Sequence, residues 1–285
     1  MADIGQTLSL IAAEASKKGH LKLVRELMER GANDIDVIAI GAAEGGLFEL
    51  VEELLSEGAT SLEWIAAGAA KGGHQSLVDQ MIRRGVTNFN CIAASAAEGG
   101  HSDIVERVLD RVTNLDWVAV SAAKGGHQQL TLDLIDRGAS CLDWIGAEAA
   151  KGGHGELVEK LIERGARNLD DLAAWAAWAG NDDIVAILLD KGTTAIDRMA
   201  HNAVWRGHER LVLSLLKRGL SDPTSLAIAA GESGRVKLLV RIVSSSPIKV
   251  ALLREWLCHA QTHERLGQET IDEITRAIKP FLGKS

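Results

Sequence analysis

Nine histidines and three cysteines are the residues of this 285-residue chain most suited to metal binding or nucleophilic catalysis, and their spacing argues against both. His20, His74, His101, His127, His154 and His208 each follow a glycine that recurs almost every 27 residues, at 19, 46, 73, 100, 126, 153, 180, 207 and 234. One imidazole per recurrence is too sparse for a compact metal site, so a structural role in a turn is expected. His259 and His263 are four apart on an expected helix, next to Cys258, yet no acid or thiol at zinc-ligand spacing completes a site. Cys91 is expected to be exposed, and no local His–acid pair activates it as a nucleophile. The chain has no Gly-x-Ser-x-Gly elbow and no Gly-x-x-x-x-Gly-Lys loop. No metal or cofactor is expected, and the chain reads as a non-enzyme.

The tryptophans carry more information. The sequence has no tyrosine, three phenylalanines and seven tryptophans. With the recurring glycine as position 0, Trp64, Trp117 and Trp144 stand at −9, Trp175 at −5, and Trp178 and Trp205 at −2. At 100° per residue these positions lie within about 60° of one another on a helix. They lie opposite the apolar stripe, so six rings should share one outward face, with Trp256 left to a C-terminal core. Position −5 is small in the middle copies (Gly41, Gly68, Ser95, Ser121), which is read as room for a ligand. Position −2 alternates as Lys17, Glu44, Lys71, Glu98, then Lys124 and Lys151, so neighbouring opposite charges should pair. The densest expected binding patch joins Trp64 and Trp117 to Trp144, Glu148, Lys151, Trp175, Trp178, Arg198, Asn202 and Trp205, with His201 beside it.

These side chains need short helices to position them. Position −12 holds the N-cap types Thr7, Asp34, Ser61, Asn88, Asn114, Asn168 and Asp222. Acids follow at −10, as in Asp36, Glu63, Asp116, Asp143, Asp170 and Asp197, where they suit the positive end of a helix dipole. Positions −11, −8, −7, −4 and −3 (Leu62, Ile65, Ala66, Ala69, Ala70) form an amphipathic stripe. A second helix carries apolar residues at +4, +5, +8 and +9 (Leu157, Val158, Leu161, Ile162) and ends at Gly-Ala, as at Gly58, Gly138 and Gly165. One copy lacks its glycine between Arg111 and Val112, and a local irregularity is expected there.

The recurring fragment AAxxGHxxLVxxLIxxGA resembles the second half of an ankyrin repeat over roughly residues 12 to 244. The Thr-Pro-Leu-His opening and about six residues of a β-hairpin finger are missing from the 33-residue unit. The chain is similar to the shortened ankyrin-like arrays of giant viruses and amoeba-dwelling bacteria. The resemblance implies an all-α, ankyrin-like solenoid of about nine helix-turn-helix repeats at 1–246, with a C-terminal helical cap at 247–285, entered after Pro247. It implies a concave, ligand-facing inner surface, a protein or peptide partner, and an effector-like role in a host cytosol.

Bulk composition agrees with a binding module. A net charge of −8 argues against a phosphate-binding face, so no nucleic acid is expected. No apolar run is long enough for a membrane span, and the N-terminus reads as the first helix of the array. Widely separated cysteines suit a reducing, cytoplasmic setting. A monomer that grips a protein or peptide is the first expectation. Two rivals stand beside it: a small-ligand or carbohydrate groove using Glu148 and Asp171 as an acid pair, and a self-associating scaffold.

Overall fold

The protein is described by a computed structural model, covering residues 4–262 and 267–283. Among these residues it holds twenty α-helices, one 3₁₀ turn and no strand, with successive helices packed on their neighbours. Among the described residues no helix is long and apolar enough to cross a membrane. The chain divides into two compact regions, Met1–Ile145 and Gly146–Ser285.

In the N-terminal region, α1 (Ile4–Lys17), α3 (Ile35–Glu44), α5 (Leu62–Lys71), α7 (Phe89–Gly99) and α9 (Leu115–Gly125) pack side by side. Each is paired with the helix that follows: α2 (Leu21–Glu29), α4 (Phe48–Ser56), α6 (Gln75–Arg83), α8 (Ser102–Val108) and α10 (Gln128–Asp136). Helix α11 (Leu142–Gly152) begins in this region and ends in the next. The C-terminal region continues with α12 (Gly155–Glu163), α13 (Leu169–Ala179), α14 (Asp182–Asp190), α15 (Ile196–Arg206), α16 (Glu209–Arg218), α17 (Pro223–Glu232) and α18 (Val236–Ser245). It closes with α19 (Val250–Thr262) and α20 (Gln268–Leu282).

The apolar stripe is the core. Ile65, Ala66, Ala69 and Ala70 of α5 are fully buried, and so are Leu157, Val158 and Leu161 of α12. Leu62 and Ile162, at the stripe's margins, are only half-buried. The recurring glycine has a positive φ, as at Gly100 (82°), where an L side chain would be strained. Second helices also end on a glycine of positive φ, as at Gly138 (117°), and without one the Arg111–Val112 copy cannot leave its second helix that way. There α8 stops after seven residues, Leu109–Arg111 tightens into a 3₁₀ turn, and Val112 exits extended.

Four of the six column histidines tie neighbouring helix pairs together. Nε2 of His74, His101 and His127 donates to the carbonyls of Glu44, Lys71 and Glu98, at 3.1, 3.1 and 3.0 Å. Each acceptor lies near the C-terminal end of the preceding pair's first helix, where carbonyls lack an intrahelical partner. In the C-terminal region His208 reaches the Trp178 carbonyl at 3.0 Å, and Asn181 reaches that of Lys151 at 3.1 Å.

The −10 acids do more than suit a dipole. Asp36 and Asp116 accept from the backbone N–H groups of Thr60 and Ser61, and of Ser140 and Cys141, at the start of the next pair. Asn90 fills the same role where the acid is absent. Asp34, Asn88, Asn114, Asn168 and Asp222 cap their helices as expected. Thr7 does not, because α1 already begins at Ile4, and the Ser61 side chain makes no capping bond.

At the C-terminus, Leu253 and Leu257 of α19 and Ile271, Ile274 and Ile278 of α20 are buried. Trp256 is half-buried against Gly231 of α17, where an added Cβ would strike its ring. His263 lies outside the described residues.

Two outcomes follow. A Cβ added at Gly68 would lie 2.7 Å from the Ile40 carbonyl oxygen of α3. Gly68→Ala gains about 1 kcal/mol of helix propensity, but overpacking costs about 1–3 kcal/mol. Urea unfolding should therefore show a lower midpoint. Acid should destabilise the fold in a defined window. The Ser140 N–H bond, against partial burial, holds the Asp116 carboxyl below its ordinary value, and the Thr193 hydroxyl does the same for Asp170. A depressed folded pKa adds stability that is complete above the ordinary aspartate value, about 4, and is lost as pH falls through the folded value. Melting followed by circular dichroism should be level from pH 7 to 5 and fall below 4, with a shallower fall in Asp116→Asn.

Candidate functional site

The −2 column of the N-terminal region is a continuous charge ladder. Lys17 meets Glu44 at 3.1 Å, Glu44 meets Lys71 at 3.9 Å, and Glu98 meets Lys71 and Lys124 at 3.0 Å each. Partial burial pushes the Glu98 carboxyl up, but the two lysines outweigh it and hold it below its ordinary value. The expected pairing across neighbouring helices is present here. Trp64, Trp117 and Trp144 are exposed as expected, from 61% at Trp64 to 37% at Trp117.

Two expectations fail in this region. Cys91 shares the −9 position with those tryptophans but is buried, at 6% exposure, and burial pushes its thiol up. A small side chain can turn into the helix packing where an indole cannot. The small −5 residues do not leave room for a ligand either. Gly41 and Gly68 are buried, and a Cβ at either would strike backbone of the preceding helix, the Ala13 carbonyl and the Ile40 carbonyl. Their size serves close helix approach.

In the C-terminal region the same columns change chemistry. Trp175 and Trp205 are exposed, and Trp178 is half-buried. Trp175 and Trp178, one turn apart on α13, meet edge to face with centroids 6.5 Å apart. The Lys151 ammonium lies 5.3 Å from the Trp175 ring centre and 3.3 Å from the Glu148 carboxylate. Arg198 pairs with Asp171 at 2.7 Å, and Asn168 also donates to Asp171. Each carboxylate of the supposed acid pair is therefore held by its own cation, which does not suit a shared general acid and base.

Asn202 and His201 were expected to project beside the rings, but both tie helices together. Asn202 Nδ2 donates to the Ala174 carbonyl of α13 at 2.9 Å. His201 bonds the Asp197 carbonyl through Nδ1 and the Ser225 hydroxyl through Nε2.

The residue that sequence reasoning missed is Arg206. Its guanidinium carbon lies 4.8 Å from the Trp178 ring centre. The available signal was its position, −1, where earlier copies carry Gly45, Gly72, Gly99, Gly125 and Gly152.

Among the described residues, no group of three histidine, cysteine or acid side chains converges to hold a metal ion. The thiols differ sharply in environment. Cys258 is exposed, whereas burial, then Asp116, pushes Cys141 to about 11. A thiol reagent at pH 7.5 should label Cys258 within minutes, and Cys91 and Cys141 on a comparable timescale only after urea unfolding, as read by mass spectrometry of tryptic peptides.

No protein-family model matches the chain, and no curated protein matches it.

Proposed function

We propose that the chain is a non-catalytic binding module, built of about nine shortened ankyrin-like helix pairs, that takes a protein or peptide segment on the tryptophan-bearing face of its C-terminal region. One observation carries this reading. Trp175 and Trp205 expose indole rings at columns that hold buried glycine or a paired lysine or glutamate earlier in the chain. At 42% and 47% exposure the two rings leave much of their surface open to a partner, and indoles are among the residues most enriched as anchors of binding interfaces. The ankyrin-like type is supported by the paired helices, the left-handed glycines and the imidazole-to-carbonyl bonds. A carbohydrate platform is disfavoured, because a cation already occupies one face of both Trp175 and Trp178.

The test uses the two exposed rings, since Trp178 is half-buried and its loss would mix stability with binding. The Trp175→Ala, Trp205→Ala double variant should melt within a few degrees of wild type. Its affinity in peptide-library fluorescence titrations should fall by about a hundredfold or more. Unchanged affinity would move the interface elsewhere.

A further inference from the structure

We propose that the preferred segment is acidic: Arg206, with Arg235 beside it, receives a side-chain carboxylate, and a neighbouring apolar residue of the segment packs on Trp205. This deepens the peptide-binding reading above and rests on it.

The charge balance of the region points there. Lys151 is neutralised by Glu148 and Arg198 by Asp171. Among the described residues Arg206 has no acid partner; the acids closest to it along the chain and in the next pair, Glu209 and Glu232, form no ion pair with it. Of Lys151, Arg198 and Arg206, the cations of the aromatic cluster, Arg206 is the one whose charge no carboxylate among the described residues meets. Its guanidinium is not free to wander, because it lies over the half-buried Trp178 ring. Stacking leaves the N–H edge of a guanidinium outward, in the fork geometry that matches a carboxylate.

A second guanidinium joins it. Arg235 takes the place that histidine holds in other pairs, and its Nη2 reaches the Trp205 carbonyl at 3.3 Å. It lies against Gly207, the residue after Arg206, so both cations stand at the C-terminal end of α15. That helix end would favour a cation on its own account. A dipole role is met by Arg235 through its carbonyl bond, however, and does not require Arg206 to lie on an indole. Trp205, at 47% exposure, provides the apolar contact: it directly precedes Arg206, and its carbonyl accepts from Arg235.

The experiment uses full-length protein and fluorescein-labelled twelve-residue peptides, read by anisotropy. One peptide set combines Glu and Asp with Leu and Phe, a second replaces every acid by its amide, and a third replaces them by lysine. Wild type should bind the best acidic peptide at least tenfold more tightly than its amide counterpart, with affinity falling as salt rises. Arg206→Gln should erase that preference without changing the melting temperature, and Trp205→Ala should weaken acidic and amide peptides alike. If amide peptides bind wild type as well as acidic ones, or Arg206→Gln keeps the preference, the carboxylate assignment is overturned while the aromatic anchoring stands. If no set binds, both fall. Tighter binding of a short oligothymidylate than of any acidic peptide would assign the arginines to nucleic acid instead.

Discussion

Short helices cannot satisfy their own ends, and the fold depends on how neighbours do it for them. A helix of ten or eleven residues, such as α3 or α7, has up to four N–H groups and four carbonyls without an intrahelical partner. Here the next pair's imidazole takes a carbonyl at one end, as His101 takes that of Lys71. The −10 side chain takes N–H groups at the start of the following pair, as Asp116 takes those of Ser140 and Cys141. Adjacent pairs are thus joined by directed polar bonds near both ends of the first helix, with alanine packing between them. Each bond contributes about 1 kcal/mol net, but leaving its partner buried and unmet would cost more.

That constraint explains which positions are small. At Gly72 or Gly99 an added Cβ would strike both the Glu44 or Lys71 carbonyl and the histidine ring, so position −1 is glycine there, whereas His208 keeps its bond to the Trp178 carbonyl beside Arg206. Position −5 must be small where first helices meet closely. The C-terminal region departs from both requirements: Trp175 and Asn202 at −5, Ala179, Arg206 and Ser233 at −1. The aromatic and cationic cluster sits where they relax. Asn202 recovers part of what is lost by bonding the neighbouring helix through its side chain.

Much of this architecture was legible in the residues, because a recurring sequence averages over local noise. The helix pairs, the left-handed glycines, the charge ladder and the disturbed turn at Arg111 follow from column chemistry, and the terminal helices around Trp256 from the break in the pattern at Pro247. What escaped were interactions between neighbouring pairs. The acids at −10 looked like dipole partners because a single helix shows only its own end. Gly41 and Gly68 looked like space because a missing side chain does not reveal which backbone fills the gap. Cys91 and Asn202 took their exposure from their column, yet burial was decided by their size and by a carbonyl on the next helix. Arg206 escaped because its column is mostly turn glycine, with Lys18 at the first copy, and its value lies in what it rests on.

The ladder of Lys17, Glu44, Lys71, Glu98 and Lys124 has a further consequence. Its true period is two helix pairs, twice that of the backbone. Removing or duplicating one pair would set lysine beside lysine or glutamate beside glutamate, whereas removing two restores the alternation. Each mismatch is modest, since exposed pairs contribute under about 1 kcal/mol. Between Lys17 and Lys124 the surface charge therefore favours a change of two pairs over a change of one, a bias that ends at Lys151, where lysine already follows lysine.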